Sequence, residues 1–213
     1  MKNNSTDITN WVSEELTTRS FSLEKDIFEF GIDHFMKDGI IKDIPFMGII
    51  TSFYNIGSSI LARRNVKKII TFFQEFNSGE IDDTKFNQFL YKFNSDNKYR
   101  DEIVETILVL NERFLQIEKS KILANLVLAH INDNLSWAEF SDLSYILDNI
   151  HPKCFFLLKE MSNQPYWRST IIQSPPDEAL IIASGIGLRE GSNFVIVELG
   201  QKLYKFGIGP SNI

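Results

Sequence analysis

Residues 119–140 read KSKILANLVLAHINDNLSWAEF, and this stretch decides the fold class. Residues 119–131 form an unusually apolar helical run, with Ile122, Leu123, Leu126, Val127 and Leu128, and belong at the centre of a core. Ser136-Trp137-Ala138-Glu139 is a capping box: the serine accepts from the first helix amides and the glutamate reaches back to the cap. It opens a helix carrying Phe140, Leu143, Ile146, Leu147 and Ile150 on one face.

Working towards the N-terminus, the same period recurs. Residues 101–118 place Ile103, Ile107, Leu110, Phe114 and Ile117 on a stripe. Phe86, Phe89, Leu90 and Phe93 fall at i, i+3, i+4 and i+7, behind Asp82 or Asp83 as a cap. Residues 65–77 carry Val66, Ile69, Ile70, Phe73 and Phe76, and Ser78-Gly79-Glu80 stops them. Two further helices are predicted over 22–37 and 7–16, the second with Ile8, Trp11, Val12 and Leu16. Short connections favour antiparallel neighbours, so residues 1–150 read as a helical bundle.

The 213 residues are 43% hydrophobic and 23% charged, the composition of a folded chain, with a net charge of −6. That sum hides a pattern. Residues 63–100 hold 8 basic and 5 acidic side chains, whereas 101–150 hold 3 and 9. The acidic total disfavours a chain that coats nucleic acid, and the two blocks suit charge pairing within one chain or between two copies. One cysteine, Cys154, excludes a disulfide framework and a multi-thiolate metal site. The polar N-terminus shows no secretory pattern, which points to the cytoplasm.

Residues 44–62 carry no charge over 19 positions and run into Arg63, Arg64, Lys67 and Lys68. Polar Thr51, Ser52, Asn55, Ser58 and Ser59 oppose a face of Phe46, Ile49, Ile50, Phe53 and Ile60. A buried amphipathic helix is the favoured reading, and a membrane-inserting face is the alternative. The basic cluster, two pairs about a turn apart, suits phosphate, anionic lipid or the acidic 101–150 block of the same chain, and pairing within the chain or a merely solvated cluster is the favoured reading.

After His151-Pro152 the composition changes, and 151–213 read as a separate small module. Pro175 and Pro176 precede a helix over 177–184, Gly191-Ser192-Asn193 marks a turn, and 194–197 is the best strand candidate. The strand leads into Glu198-Leu199-Gly200-Gln201-Lys202-Leu203. This order resembles the C-terminal half of a winged-helix domain, where a strand leads into a Thr-Glu-Leu-Gly-x-x-Leu helix; Val197 stands in place of the threonine. The resemblance implies a wing at 188–193. A DNA reader needs several Lys or Arg on helix and wing, but the helix holds Asp177, Glu178 and no cation, and the wing only Arg189. Nucleic acid is therefore disfavoured as a partner here, and protein docking is the favoured use.

Catalytic chemistry finds no purchase. His34, His130 and His151 lie far apart, without metal-ligand spacing. Asp26, Glu29 and Asp33 share a face beside His34, but a solvated acidic face accounts for them. His130 reads as a packed core histidine. Cys154 follows His151 by three residues, yet Phe155, Phe156, Leu157 and Leu158 mark it as a buried, inert thiol. Asn94, Asp96 and Lys98 imitate a calcium loop poorly, and Gly185-x-Gly187-x-x-x-Gly191 has the wrong spacing for a dinucleotide. No catalytic residue, cofactor, metal or small-molecule substrate is assigned.

Ile44-Pro45-Phe46-Met47-Gly48, then Arg63-Arg64 and Lys67-Lys68, then 117–140, are similar to a set of small bacterial proteins of mobile-element and anti-phage regions. The resemblance implies a context of phage defence or stress response and no catalytic residue. The expectation is thus an all-α protein: a multi-helix bundle over 1–150, and a winged-helix-like module over 151–213 containing a short β-hairpin. Its expected role is that of a non-enzymatic regulator or adaptor, binding a protein partner or a second copy of itself. A membrane-active effector and a DNA-binding regulator are the alternatives.

Overall fold

The computed structural model describes residues 2–21, 48, 49, 52, 60–170 and 175–209. The helix expected over 22–37, with Asp26, Glu29, Asp33 and His34, lies outside the described residues, as does most of 44–62. Among the described residues the protein is all-α with one small sheet. The helices are α1 (Lys2–Thr18), α2 (Ile60–Ser78), α3 (Asp83–Ser95), α4 (Asn97–Arg113), α5 (Glu118–Ile131), α6 (Trp137–Asn149) and α7 (Lys153–Ser162). A 3-10 turn (Pro165–Trp167) leads into β1 (Arg168–Ser169); then come α8 (Pro175–Ala183), β2 (Gly187–Glu190), β3 (Asn193–Ile196) and α9 (Glu198–Lys202). The chain continues past α9 as a π-helical turn, Leu203–Ile208.

Local chemistry explains the boundaries. Asp82 accepts from the Lys85 amide and starts α3. Asp96, read above as part of a poor calcium loop, caps α4 by accepting from the Tyr99 amide at 3.0 Å. This cap starts α4 earlier than the apolar stripe alone implies. Both halves of the capping box form at Ser136 and Glu139.

The chain divides into two compact units, Met1–Lys121 and Ile122–Ile213. The division falls inside α5, ahead of the 150/151 boundary that the composition change marks. Composition follows proline and glycine, whereas compactness follows packing. In the first unit, Trp11 of α1 meets Phe73 of α2 edge to face at 4.8 Å, and Phe21, Phe72 and Phe76 complete an aromatic core. In the second, α5 and α6 share their unit with the C-terminal elements. Asn125 Nδ2 donates to the Gly207 carbonyl at 3.1 Å, and Lys202 of α9 pairs with Glu139 of α6. Buried Leu123, Leu126, Phe140, Leu143, Leu158, Ile181 and Phe194 form its core.

The sheet has the order β1-β3-β2, antiparallel throughout. Leu188 pairs with Val195 and Glu190 with Asn193, around a turn in which Gly191 takes φ +62. The strand and the turn thus stand where the sequence puts them. Gly200 in α9 sits against the backbone that links α8 to β2. A Cβ there would lie 2.6 Å from the Ile186 carbonyl oxygen and 2.7 Å from Ile196 Cγ2. In an unobstructed helix, Gly→Ala stabilises by about 1 kcal/mol. Here G200A is expected to destabilise by about 1–3 kcal/mol, read as a lowered urea midpoint; a raised midpoint would contradict this packing.

Candidate functional site

The basic cluster at the start of α2 is taken apart by the fold. Lys68 is 1% exposed, and its Nζ donates to the carbonyls of Glu112 at 2.9 Å and Phe114 at 2.8 Å. Arg64 Nη2 donates to the carbonyl of Leu115. These are the orphan acceptors at the end of α4, where a helix carries partial negative charge. α4 stops at Arg113, and Phe114 turns extended at φ −58, ψ 131. Burial lowers the Lys68 ammonium from its ordinary 10.5 to about 8; Arg64 pushes the same way and Glu112 opposes.

Lys68 is therefore withdrawn from any phosphate, lipid or partner, which corrects its place in a surface patch. Two of the four cations do engage the 101–150 segment, but through its backbone carbonyls. Arg63 and Lys67 remain half-exposed. Of the apolar face expected ahead of them, Phe46, Ile50 and Phe53 lie outside the described residues, Ile49 is half-buried and Ile60 is exposed. No helix among the described residues is long and apolar enough to cross a membrane.

A second capping cation escaped the sequence reading altogether. Arg19, at φ +51 just past α1, donates through Nη2 to the carbonyls of Phe76 and Asn77, both at 2.9 Å, and of Gly79 at 2.5 Å. Its guanidinium also lies over the Phe76 ring, 5.4 Å from the centroid, and burial lowers its pKa. Glu15, itself buried, accepts from Ser20 Oγ at 3.0 Å and the Phe21 amide at 2.8 Å, holding this turn. An isolated arginine in a polar turn carries no sequence signal for such a role.

The C-terminal module presents a different surface. α8 exposes Ala179, Ile182 and Ala183, and β2 exposes Leu188. Arg189 grips Glu178 with two parallel bonds, Nε to Oε1 at 2.7 Å and Nη2 to Oε2 at 2.6 Å, while Nη1 donates to the Ser192 carbonyl at 3.0 Å. This pairing holds the Glu178 carboxyl below its usual range and raises Arg189. Arg168 pairs with Glu190 at 2.5 Å across the sheet. Both arginines of this surface thus already have a carboxylate.

The remaining chemistry-bearing side chains take structural places. His130 is half-buried, its Nδ1 bonding the Leu135 carbonyl at 2.9 Å and its ring stacked on Phe140. His151 is exposed and accepts from the Lys153 amide through Nδ1. Cys154 is fully buried, its Sγ 3.8 Å from Ser184 Oγ. His151 and Cys154 are joined through the backbone, the Cys154 amide donating to the His151 carbonyl at 2.9 Å, while the His151 Nδ1 accepts from the Lys153 amide and the thiol lies by Ser184. Glu139 has a task beyond its capping box. It binds Lys202, and this bond with those from Ser136 lowers its carboxyl from 4.5 to about 2; Lys202 also holds Glu198 at 2.6 Å. No group of three or more His, Cys, Asp or Glu among the described residues could hold a metal ion.

The capping lysine gives a pH signature. Its folded pKa lies below its unfolded one, so the unfolded chain binds the extra proton between about 8 and 10.5. Stability therefore rises with pH across that window and is flat in this group below it. K68M removes both donors while keeping the apolar stem, and is expected to cost about 2 kcal/mol near neutral pH. The gap between K68M and the parent should widen from pH 8 to 10.5 in denaturant titrations followed by circular dichroism. A gap independent of pH would show that the Lys68 proton is not coupled to folding.

No protein-family model, no curated protein and no solved structure matches this chain.

Proposed function

We propose that this chain is a non-enzymatic binding protein, a regulator or adaptor whose winged-helix-like module docks protein rather than DNA. The observation that carries this reading is the Glu178–Arg189 clamp. In a DNA-reading module the helix and wing meet phosphates with uncompensated cations. Here the wing arginine is bound to a carboxylate from the helix, and the outer helix positions are Ala179, Ile182 and Ala183. Breaking that clamp to reach a phosphate would leave Glu178 facing the nucleic acid backbone.

An apolar helix face with neutralised charges around it suits a protein surface, where charge is depleted at the centre. A second copy of this chain is the simplest partner, and a different protein is the other. The resemblance of residues 44–48, 63–68 and 117–140 to bacterial proteins of anti-phage regions supports a setting in phage defence or stress response.

Sedimentation velocity over a range of concentrations tests the self-association form of this reading. The parent chain is expected to associate, and I182E, which puts a charge at the centre of the α8 face, to remain monomeric with an unchanged thermal midpoint. Electrophoretic mobility shift with duplex DNA at low salt is expected to show no complex. DNA retention that disappears in R189A would overturn the reading in favour of a DNA-binding regulator.

A further inference from the structure

We propose that the start of α2, together with the turn after α4, forms a docking surface for an anionic lipid bilayer. This inference is independent of the α8 face. Three large apolar side chains stand out of the protein here: Ile60 is 82% exposed, Leu61 65% and Leu115 68%. Helical spacing and one hydrogen bond bring them to the same region of the surface. Ile60 and Leu61 precede Arg64 by four and three residues, which puts them on the same side of α2, one turn earlier. Arg64 reaches the Leu115 carbonyl, so Leu115 lies beside that turn.

The patch is rimmed by cations. Residues 60–74 contain Arg63, Arg64, Lys67 and Lys68 and no carboxylate. On the α4 side, Glu112 and Glu118 are exposed beside Arg113, and Lys119 is buried, so the exposed or half-exposed charges around the patch are four cations and two carboxylates. Lys68 is buried on carbonyls, which leaves Arg63, Arg64 and Lys67 as the cations of α2 at the patch. An apolar knob with a basic rim matches the two terms of interfacial binding: apolar burial at the acyl boundary and attraction to anionic head groups. The surface proposed is distinct from insertion of the 44–62 stretch, because it uses Leu61 and Leu115, with Leu115 outside that stretch.

The test is flotation of the full chain with vesicles of phosphatidylcholine alone and of phosphatidylcholine mixed with phosphatidylglycerol. The parent is expected to float with the mixed vesicles and not with the neutral ones, and to be released as salt is raised. L61D/L115D should abolish flotation, and R63E or K67E should each weaken it by about fivefold or more. Circular dichroism melts check that each variant remains folded; if the double aspartate variant is not, L61N and L115N replace it. Three outcomes would overturn the proposal: no flotation of the parent, equal flotation with neutral vesicles, or full flotation of the folded leucine variants. Arg64 is left unchanged throughout because it closes α4.

Discussion

A lysine buried on the last carbonyls of a helix ties α2 to the end of α4 in the first unit. α4 ends at the surface, but its Phe114 is buried, and the Phe114 carbonyl needs a donor because an orphan backbone acceptor is costly when removed from water. Lys68 supplies it from the neighbouring helix, and Arg64 supplies the Leu115 carbonyl one turn earlier. Arg19 does the same for the end of α2, satisfying the carbonyls of Phe76, Asn77 and Gly79. Each end is closed by a cation from a different element, so helix termination and helix packing are one event here. The positive charge is favoured by the negative end of the helix, and its desolvation is what lowers the Lys68 pKa.

The second unit relies on carboxylates instead. Glu139 closes its own helix as a capping-box residue and also binds Lys202, fastening α6 to α9. Glu178 does the corresponding work for the hairpin by clamping Arg189. Lys153 of α7 pairs with the buried Asp177 in the first turn of α8. The acidic side chains that a charge count presents as a solvated excess are, at these three positions, ties between elements. That is also why the module's surface offers so little uncompensated positive charge.

Much of the architecture was legible because it rests on local signals. The 3.6-residue stripes of α2, α3 and α6 appear in the fold, as do the Asp82 cap and the Ser136–Glu139 box. The Phe194–Ile196 strand and the Gly191 turn also stand where turn chemistry puts them. The basic cluster was legible only as a cluster. Its spacing says that Arg64 and Lys68 share a face, but whether that face meets water or a helix end depends on a partner more than forty residues away. Asp96 was set aside as part of a poor ion-binding loop, but its role as the cap of α4 was not read, because a carboxylate in a polar turn serves a helix cap or a cation equally well until the backbone is placed.

The sequence by itself determined that this protein is helical with a small terminal hairpin, since helix periods, caps and turns are set by residues within a few positions of one another. It also determined which chemistries have weak signals, through its single cysteine and scattered histidines. Only the tertiary structure decided what the charges do. Coulomb and hydrogen-bond energies depend on distance and burial, so Lys68 became an internal cap, Arg189 a neutralised clamp and Glu139 a bridge between helices. The 121/122 division of the chain was decided in the same way, by packing of α5 and α6 with elements that follow them at a distance in sequence.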